Sequence, residues 1–293
     1  YAGQYLKNNS KYELYARNGL QYQPFNTLFQ LYGDQRKSEA ETFLMIPDYL
    51  AYRLTGTKVN EFSNLSTTGL LNVHEKTLDR SLLKQAGICF SLFPPMVEAG
   101  TTICNLSETI REQIGFDTQV IAVPSHDTAS SYLTSPHKEE IILSSGTWSL
   151  IGCILDEPII ASKACDHNFT NEGCANRQIR FLQNIMGLWI IQEVSRNLNG
   201  KYSFSELVEL AKADPYPYTF DVNKAKFLHP ENMIETIQEE LMNQGIEPPR
   251  QVGQIADCVY RSLAEAVKTA VNQLEQLTEK QFETINIIGE DVK

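Results

Sequence analysis

Nowhere in this 293-residue chain does an apolar run approach the roughly 18 residues that suggest a membrane-spanning helix. Basic residues are the minority. Lys and Arg number 25 against 36 Asp and Glu, a formal net charge of −11. Nucleic acid and anionic membranes both recruit basic surfaces, so neither is an expected partner. Cysteine is sparse and unpatterned: six residues, at positions 89, 104, 153, 165, 174 and 258, include no Cys-x-x-Cys. The nearest pair, Cys165 and Cys174, has only His167 beside it as a further ligand type. Free thiols in a reducing cytoplasm are expected, with no disulfide scaffold and no zinc site. The opening "YAGQYLKNNSKYEL" lacks the pattern of a secretory leader, which also points to the cytoplasm. Internal repeats and low-complexity tracts are absent as well.

What is present is the mix of a soluble globular enzyme, 42% hydrophobic and 21% charged. The chain opens on Tyr1 and closes on the strand-like "INIIGEDVK", so it reads as a piece of a longer protein. Helical spacing marks residues 25–37 through Phe25, Leu28, Phe29 and Tyr32. "PDYLAYRLTG" places Pro47 at a helix start and Gly56 just past its end, and "SLLKQAG" is closed by Gly87. Asn105 and Glu108 predict a capping box for "SETIREQIG", and Ser203 with Glu206 predicts a second for "FSELVELAKA". "TQVIAVPS" reads as a buried strand handing over to a short helix, "HDTASSYLTS". In "EEIILSSGTWSLIGCIL" two apolar runs flank Ser145-Gly146, a hairpin signal. The remainder reads as mostly helical, including "LQNIMGLWIIQEVSRNL" and a long amphipathic run over 251–278, before the strand "TINIIG". Strand–helix–strand–strand order indicates an α/β architecture, with a domain boundary near Ser135-Pro136.

Three stretches could carry chemistry. Asp127, in "VIAVPSHDTASS", lies where a strand gives way to a helix. There it can cap free N–H groups, or serve as a general base held ionised by those same groups. His126 and Thr128 flank it with further hydrogen-bonding groups. "SSGTWS" (144–149) reads as a hairpin turn or as an anion cradle of hydroxyls and N–H groups around a glycine. It matches neither a Walker phosphate loop nor a Gly-x-Ser-x-Gly nucleophile elbow. Asn184 and Gln192 are polar interruptions in "LQNIMGLWIIQE", either solvent-facing or free to bind neutral hydroxyls and nucleoside atoms.

In their order along nearly the whole chain, "GLQYQPFNTLFQL", "MIPDYLAYRLTG", "SHDTASS", "LSSGTWSLIG", "NEGC" and "NIMGLWIIQE" resemble the FGGY family of carbohydrate kinases. The resemblance implies an actin-like (ribonuclease H-like) two-domain ATPase fold whose N-terminal domain is incomplete here. Residues 1–134 would belong to the sugar-binding domain and 135–293 to the nucleotide-binding domain. It implies phosphorylation with ATP and Mg²⁺, and "QPFNTL" and "NIMGLW" favour members acting on the 1-hydroxyl of L-rhamnulose. A fuculose or xylulose kinase, or a sugar-binding module without turnover, are the alternatives. Carried over by motif, Asp127 would be the catalytic base. His126, Asp127, Thr128 and Asn184 would bind the sugar. Thr147, Gln192 and Gly289 would serve ATP, and no protein metal ligand is implied. The family's first phosphate loop would precede Tyr1. Cys174 replaces the second glycine of the usual Asn-Glu-Gly-Gly, and Glu290 and Asp291 follow Gly289 in place of a glycine-rich turn.

Overall fold

A computed structural model describes residues 1–134 and 139–289. The expected boundary at Ser135-Pro136 lies outside the described residues. The chain divides into two compact units, Tyr1–Glu140 with Cys153–Leu182, and Ile141–Gly152 with Gln183–Lys293.

The first unit is built from short helices and small two-stranded ladders. Helix Ile46–Thr55 carries proline in its first turn and ends on Gly56, whose φ of 75° suits a residue without a side chain. Helix Arg80–Gln85 is capped by Asp79, which accepts the N–H groups of Ser81 (2.9 Å) and Leu82 (3.0 Å). The same carboxylate takes Arg17 through Nε (3.0 Å) and a terminal nitrogen (2.7 Å), tying this cap to helix Lys11–Asn18. The core gathers Tyr5, Leu28, Phe29, Phe62, Leu65 and Leu70. Asn171 fastens the C-terminal segment of the unit to its start. Its amide donates to Gly19 O (3.0 Å) and Ile159 O (3.0 Å), and its oxygen accepts Ile159 N–H (2.8 Å).

In the second unit, helix Val252–Thr278 packs along Phe204–Ala213, and the core gathers Ile190, Val194, Leu207, Ile237, Leu241 and Val259. Ser203 and Glu206 form the expected capping box, with both reciprocal bonds made. The expected hairpin pairs Glu140–Ser145 with Trp148–Leu155, antiparallel, Ser145 opposite Ser149. A five-stranded sheet runs in the order Thr284–Ile288, Glu140–Ser145, Trp148–Leu155, Ile179–Met186, Phe169–Gly173, and the last of these strands belongs to the first unit. Two strands change unit along their length. Trp148–Leu155 passes to the first unit after Gly152, and Ile179–Met186 passes back after Leu182.

Three local expectations are corrected. Asn105 ends a strand and donates to Asp117 (3.0 Å), so Ser107 becomes the N-cap of Glu108–Ile114 and no capping box forms. The strand Gln119–Ile121 is short and its residues are half-buried or exposed, because it pairs in a two-stranded ladder with Thr102–Asn105. "LQNIM" is not helical: it closes the strand Ile179–Met186, and helix Trp189–Asn197 begins only after Gly187. Gly187 lies between the strand and the helix and passes close to the hairpin turn. A Cβ there would crowd Gly146 O and lie 2.7 Å from Ser149 Oγ, closer than packing allows.

Candidate active site

Asp127 is the first residue of the helix Asp127–Ser131, with His126 in the N-cap position. The carboxylate stands in solvent, 97% exposed. Its Oδ1 accepts the Thr128 N–H at 2.6 Å and the Thr128 hydroxyl at 3.3 Å. Asp127 is therefore not the N-cap: one oxygen accepts the N–H of the next residue within the first turn and the other remains open. Thr128 itself is buried, its hydroxyl turned to Asp127.

Two buried groups brace this junction from below. Glu61 lies next to helix Phe62–Leu65 as its N-cap and is 3% exposed. Its Oε1 accepts Ser63 N–H (2.9 Å). Its Oε2 accepts Ser63 Oγ (2.6 Å), Asn64 N–H (3.2 Å), Ser125 N–H (3.1 Å) and Ser125 Oγ (3.1 Å). A carboxylate removed from water is tolerable only when so fully hydrogen-bonded, and this one pins the residue just before His126. Arg180, on the strand Ile179–Met186, is wholly buried. It donates through Nε to Gly173 O (3.1 Å), through one terminal nitrogen to Glu172 Oε2 (2.9 Å), and faces His126 Nδ1 with the other at 3.1 Å. Burial, and after it the Arg180 charge, hold the His126 imidazole below its ordinary pKa, so its neutral form is favoured.

"NEGC" thereby has a structural meaning in all its first three letters. Asn171 ties the unit together, Glu172 neutralises Arg180, and Gly173 passes so close to Phe62 that a Cβ would sit 2.7 Å from its ring. Cys174 is buried.

The second unit brings together three of the other expected residues. The hairpin turn is stapled to the start of helix Trp189–Asn197: Gly146 O accepts Leu188 N–H (2.9 Å) and Thr147 O accepts Trp189 N–H (3.1 Å). Thr147 Oγ1 then lies 3.3 Å from Gln192 Oε1. Gly289, at φ 146°, rests on Ser145 of the same turn, with its missing Cβ pointing into the Ser145 carbonyl. Glu290 and Asp291 lie outside the described residues. Asn184 is half-buried on the strand Ile179–Met186, in the second unit and not in the first with Asp127. Among the described residues, no cluster of three or more His, Cys, Asp or Glu side chains is arranged to hold a metal ion, and no helix is long and apolar enough to cross a membrane.

Sequence reasoning passed over Glu61, Glu172 and Arg180 as site residues. The available signal was Arg180, a lone cation between Ile179 and Phe181 in an apolar run, which calls for a buried partner.

An exposed acid thus stands on a braced strand-to-helix junction, and a turn with glycines packed against it carries paired Thr and Gln. The FGGY carbohydrate kinase N-terminal domain matches residues 3–134 and the C-terminal domain of the same family matches 141–292. This chain belongs to the FGGY family of carbohydrate kinases. Within it, the chain is 44% identical over 285 residues to a rhamnulokinase of Halalkalibacterium halodurans, covering 95% of this chain and 61% of that protein. It is 42% identical over 289 residues to a rhamnulokinase of Bacillus subtilis, covering 96% and 59%. The chain thus spans about three fifths of the length of these curated relatives. Its fold is that of solved sugar kinases. A xylulose kinase from Lactobacillus acidophilus superposes with a TM-score of 0.77 at 18% identity, over 100% of this chain and 61% of the other. Plasmodium falciparum glycerol kinase with ADP gives 0.75 at 12% identity, over 99% and 60%. The α/β, actin-like expectation is met.

Proposed function

We propose that the protein transfers the γ-phosphoryl group of ATP to the 1-hydroxyl of L-rhamnulose, with Asp127 as the base. The observation that carries the chemistry is the Asp127 carboxylate, fixed by Thr128 at one oxygen and open at the other. In the step, the sugar 1-oxygen forms a bond to the γ-phosphorus as the bond from that phosphorus to the β–γ bridging oxygen breaks. The hydroxyl proton passes to Asp127, and ADP leaves. Such transfer asks a protein mainly for alignment and charge stabilisation, plus one proton acceptor.

His126, Thr128 and Asn184 are assigned to the sugar. His126 is the readiest of these, since its ring is partly exposed while Thr128 already serves Asp127. Thr147, Gln192 and Gly289 are assigned to the nucleotide. The fit there is physical: the exposed Thr147 side chain meets Gln192 beside the turn, and the close packing of Gly187 and Gly289 against that turn fixes its backbone. Mg²⁺ bound with ATP would neutralise phosphate charge, drawing mostly on phosphate oxygens and water. The choice of L-rhamnulose rests on the rhamnulokinase relatives at 42–44% identity, with "QPFNTL" and "NIMGLW". The xylulose and glycerol kinases share the fold at 12–18% identity, too distant to bear on the sugar.

The test is an ADP-release assay with Mg-ATP on L-rhamnulose, L-fuculose, xylulose and glycerol. L-Rhamnulose is expected to give the highest kcat/KM. Equal or better turnover of another member of the panel overturns the substrate assignment.

A further inference from the structure

We propose that Arg180 is a positioning residue that fixes the proton of His126: its buried guanidinium donates to Nδ1 and leaves Nε2–H as the polar group His126 can offer a substrate oxygen. This rests on the reading of residues 126–128 as the sugar side of a kinase site. A guanidinium carries donors only and does not deprotonate in proteins, so the imidazole nitrogen 3.1 Å away must supply a lone pair. The other nitrogen then bears the hydrogen. Arg180 cannot swing aside to relax this demand. It has no exposed surface, it is held by Gly173 O and Glu172 Oε2, and its Cζ lies 5.8 Å from the centre of the Tyr132 ring.

The charged groups facing His126 come from four elements. Arg180 lies on one strand and Glu172 on its neighbour, Asp127 follows His126 with its carboxylate 3.9 Å from Nδ1, and Glu61 caps helix Phe62–Leu65. The three carboxylates favour a charged imidazole. Burial and Arg180 oppose it and prevail. Protonation at Nδ1 would also aim an N–H at a guanidinium, which has no lone pair to receive it. His126 is therefore a neutral donor of fixed sense, suited to a hydroxyl or carbonyl oxygen of an uncharged sugar.

Long-range proton–nitrogen NMR of the intact protein tests the assignment, with the His126 signals identified by their loss in His126→Gln. The expected spectrum shows hydrogen on Nε2, a bare Nδ1, and a protonation midpoint below the ordinary 6.5. Arg180→Met with Glu172→Gln removes the donor without leaving the Glu172 carboxylate unpaired. It is expected to mix the two tautomers, raise the midpoint, and raise the sugar KM about tenfold while kcat changes less. Arg180→Lys, which keeps a cationic donor, is expected to restore part of the effect. A parent spectrum with hydrogen on Nδ1 overturns the proposal. So does a double variant whose tautomer and midpoint match the parent's. If the double variant does not fold, the parent spectrum and Arg180→Lys decide the matter. The expected spectrum from a protein with no sugar-kinase turnover upholds the Arg180 assignment and overturns the kinase reading alone.

Discussion

Exchange of Asp127 for Asn keeps the size of a side chain whose one oxygen already accepts the Thr128 N–H, and removes its ability to take a proton. Turnover is expected to fall about 10²- to 10⁴-fold, the scale of a lost general base, with sugar affinity changing far less. Paired kinetic and sugar-binding measurements check this, and turnover near the parent value would leave Asp127 as a helix tie. Asp48 gives a second prediction. It is 3% exposed, accepts Glu61 N–H at 3.1 Å through Oδ1, and has no partner for Oδ2 among the described residues. Burial, with the Glu61 charge adding to it, pushes its pKa up from 3.8 to about 7 against the pull of the Glu61 N–H bond. A raised folded pKa contributes stability that is complete below about 3.8 and lost as pH rises through about 7. Asp48→Asn is therefore expected to lose less Tm between pH 5 and pH 8 than the parent, and a parallel loss would refute it. Asp127 and its neighbours were legible because they form one continuous motif. Arg180 and Glu61 were not, because their bonds join residues 54 and 64 positions apart.

Capping shows how far an element can be read from its own letters. Ser203 and Glu206 stand at the exposed start of a helix with nothing to compete for them, and the box forms as spelled. Ser203→Ala is expected to cost about 1 kcal/mol, read as a lower urea midpoint at an unchanged slope. Asn105 has the right chemistry too, but strand pairing and Asp117 claim it first. Likewise, an apolar run of about eight residues fits a buried strand as well as a helix, and periodicity alone cannot separate them at 179–186. What settles that stretch is its pairing between the strands Trp148–Leu155 and Phe169–Gly173, and Gly187 after it lets the backbone approach the turn at Gly146. Gly187→Ala is expected to displace that turn, destabilise the protein by about 1–3 kcal/mol, and raise the KM for ATP more than that for sugar. Unchanged thermal stability would show that the turn yields easily.

At the scale of the whole chain, the α/β class and the family were open to reading, because strand and helix signals and family motifs persist along its length. The interleaving of the units was not, since it depends on which end of a strand packs where. Residues 153–182 bring Asn171, Glu172, Gly173 and Arg180 to the unit begun by residues 1–140. Expressed alone, 1–140 is expected to show weaker amide protection around Gly19 and Ser125–Thr128 than the same residues in the longer chain. Equal protection would show the later segment to be dispensable. Ribosomes make a protein from its first residue onward, so the first unit must wait for Leu182. By then the hairpin residues 141–152 of the second unit have already emerged and must wait in turn for Gln183 and beyond. Neither half can be finished before the other is begun. A pause in translation between residues 152 and 182 would hold both open together, with unpaired strands exposed to neighbouring nascent chains.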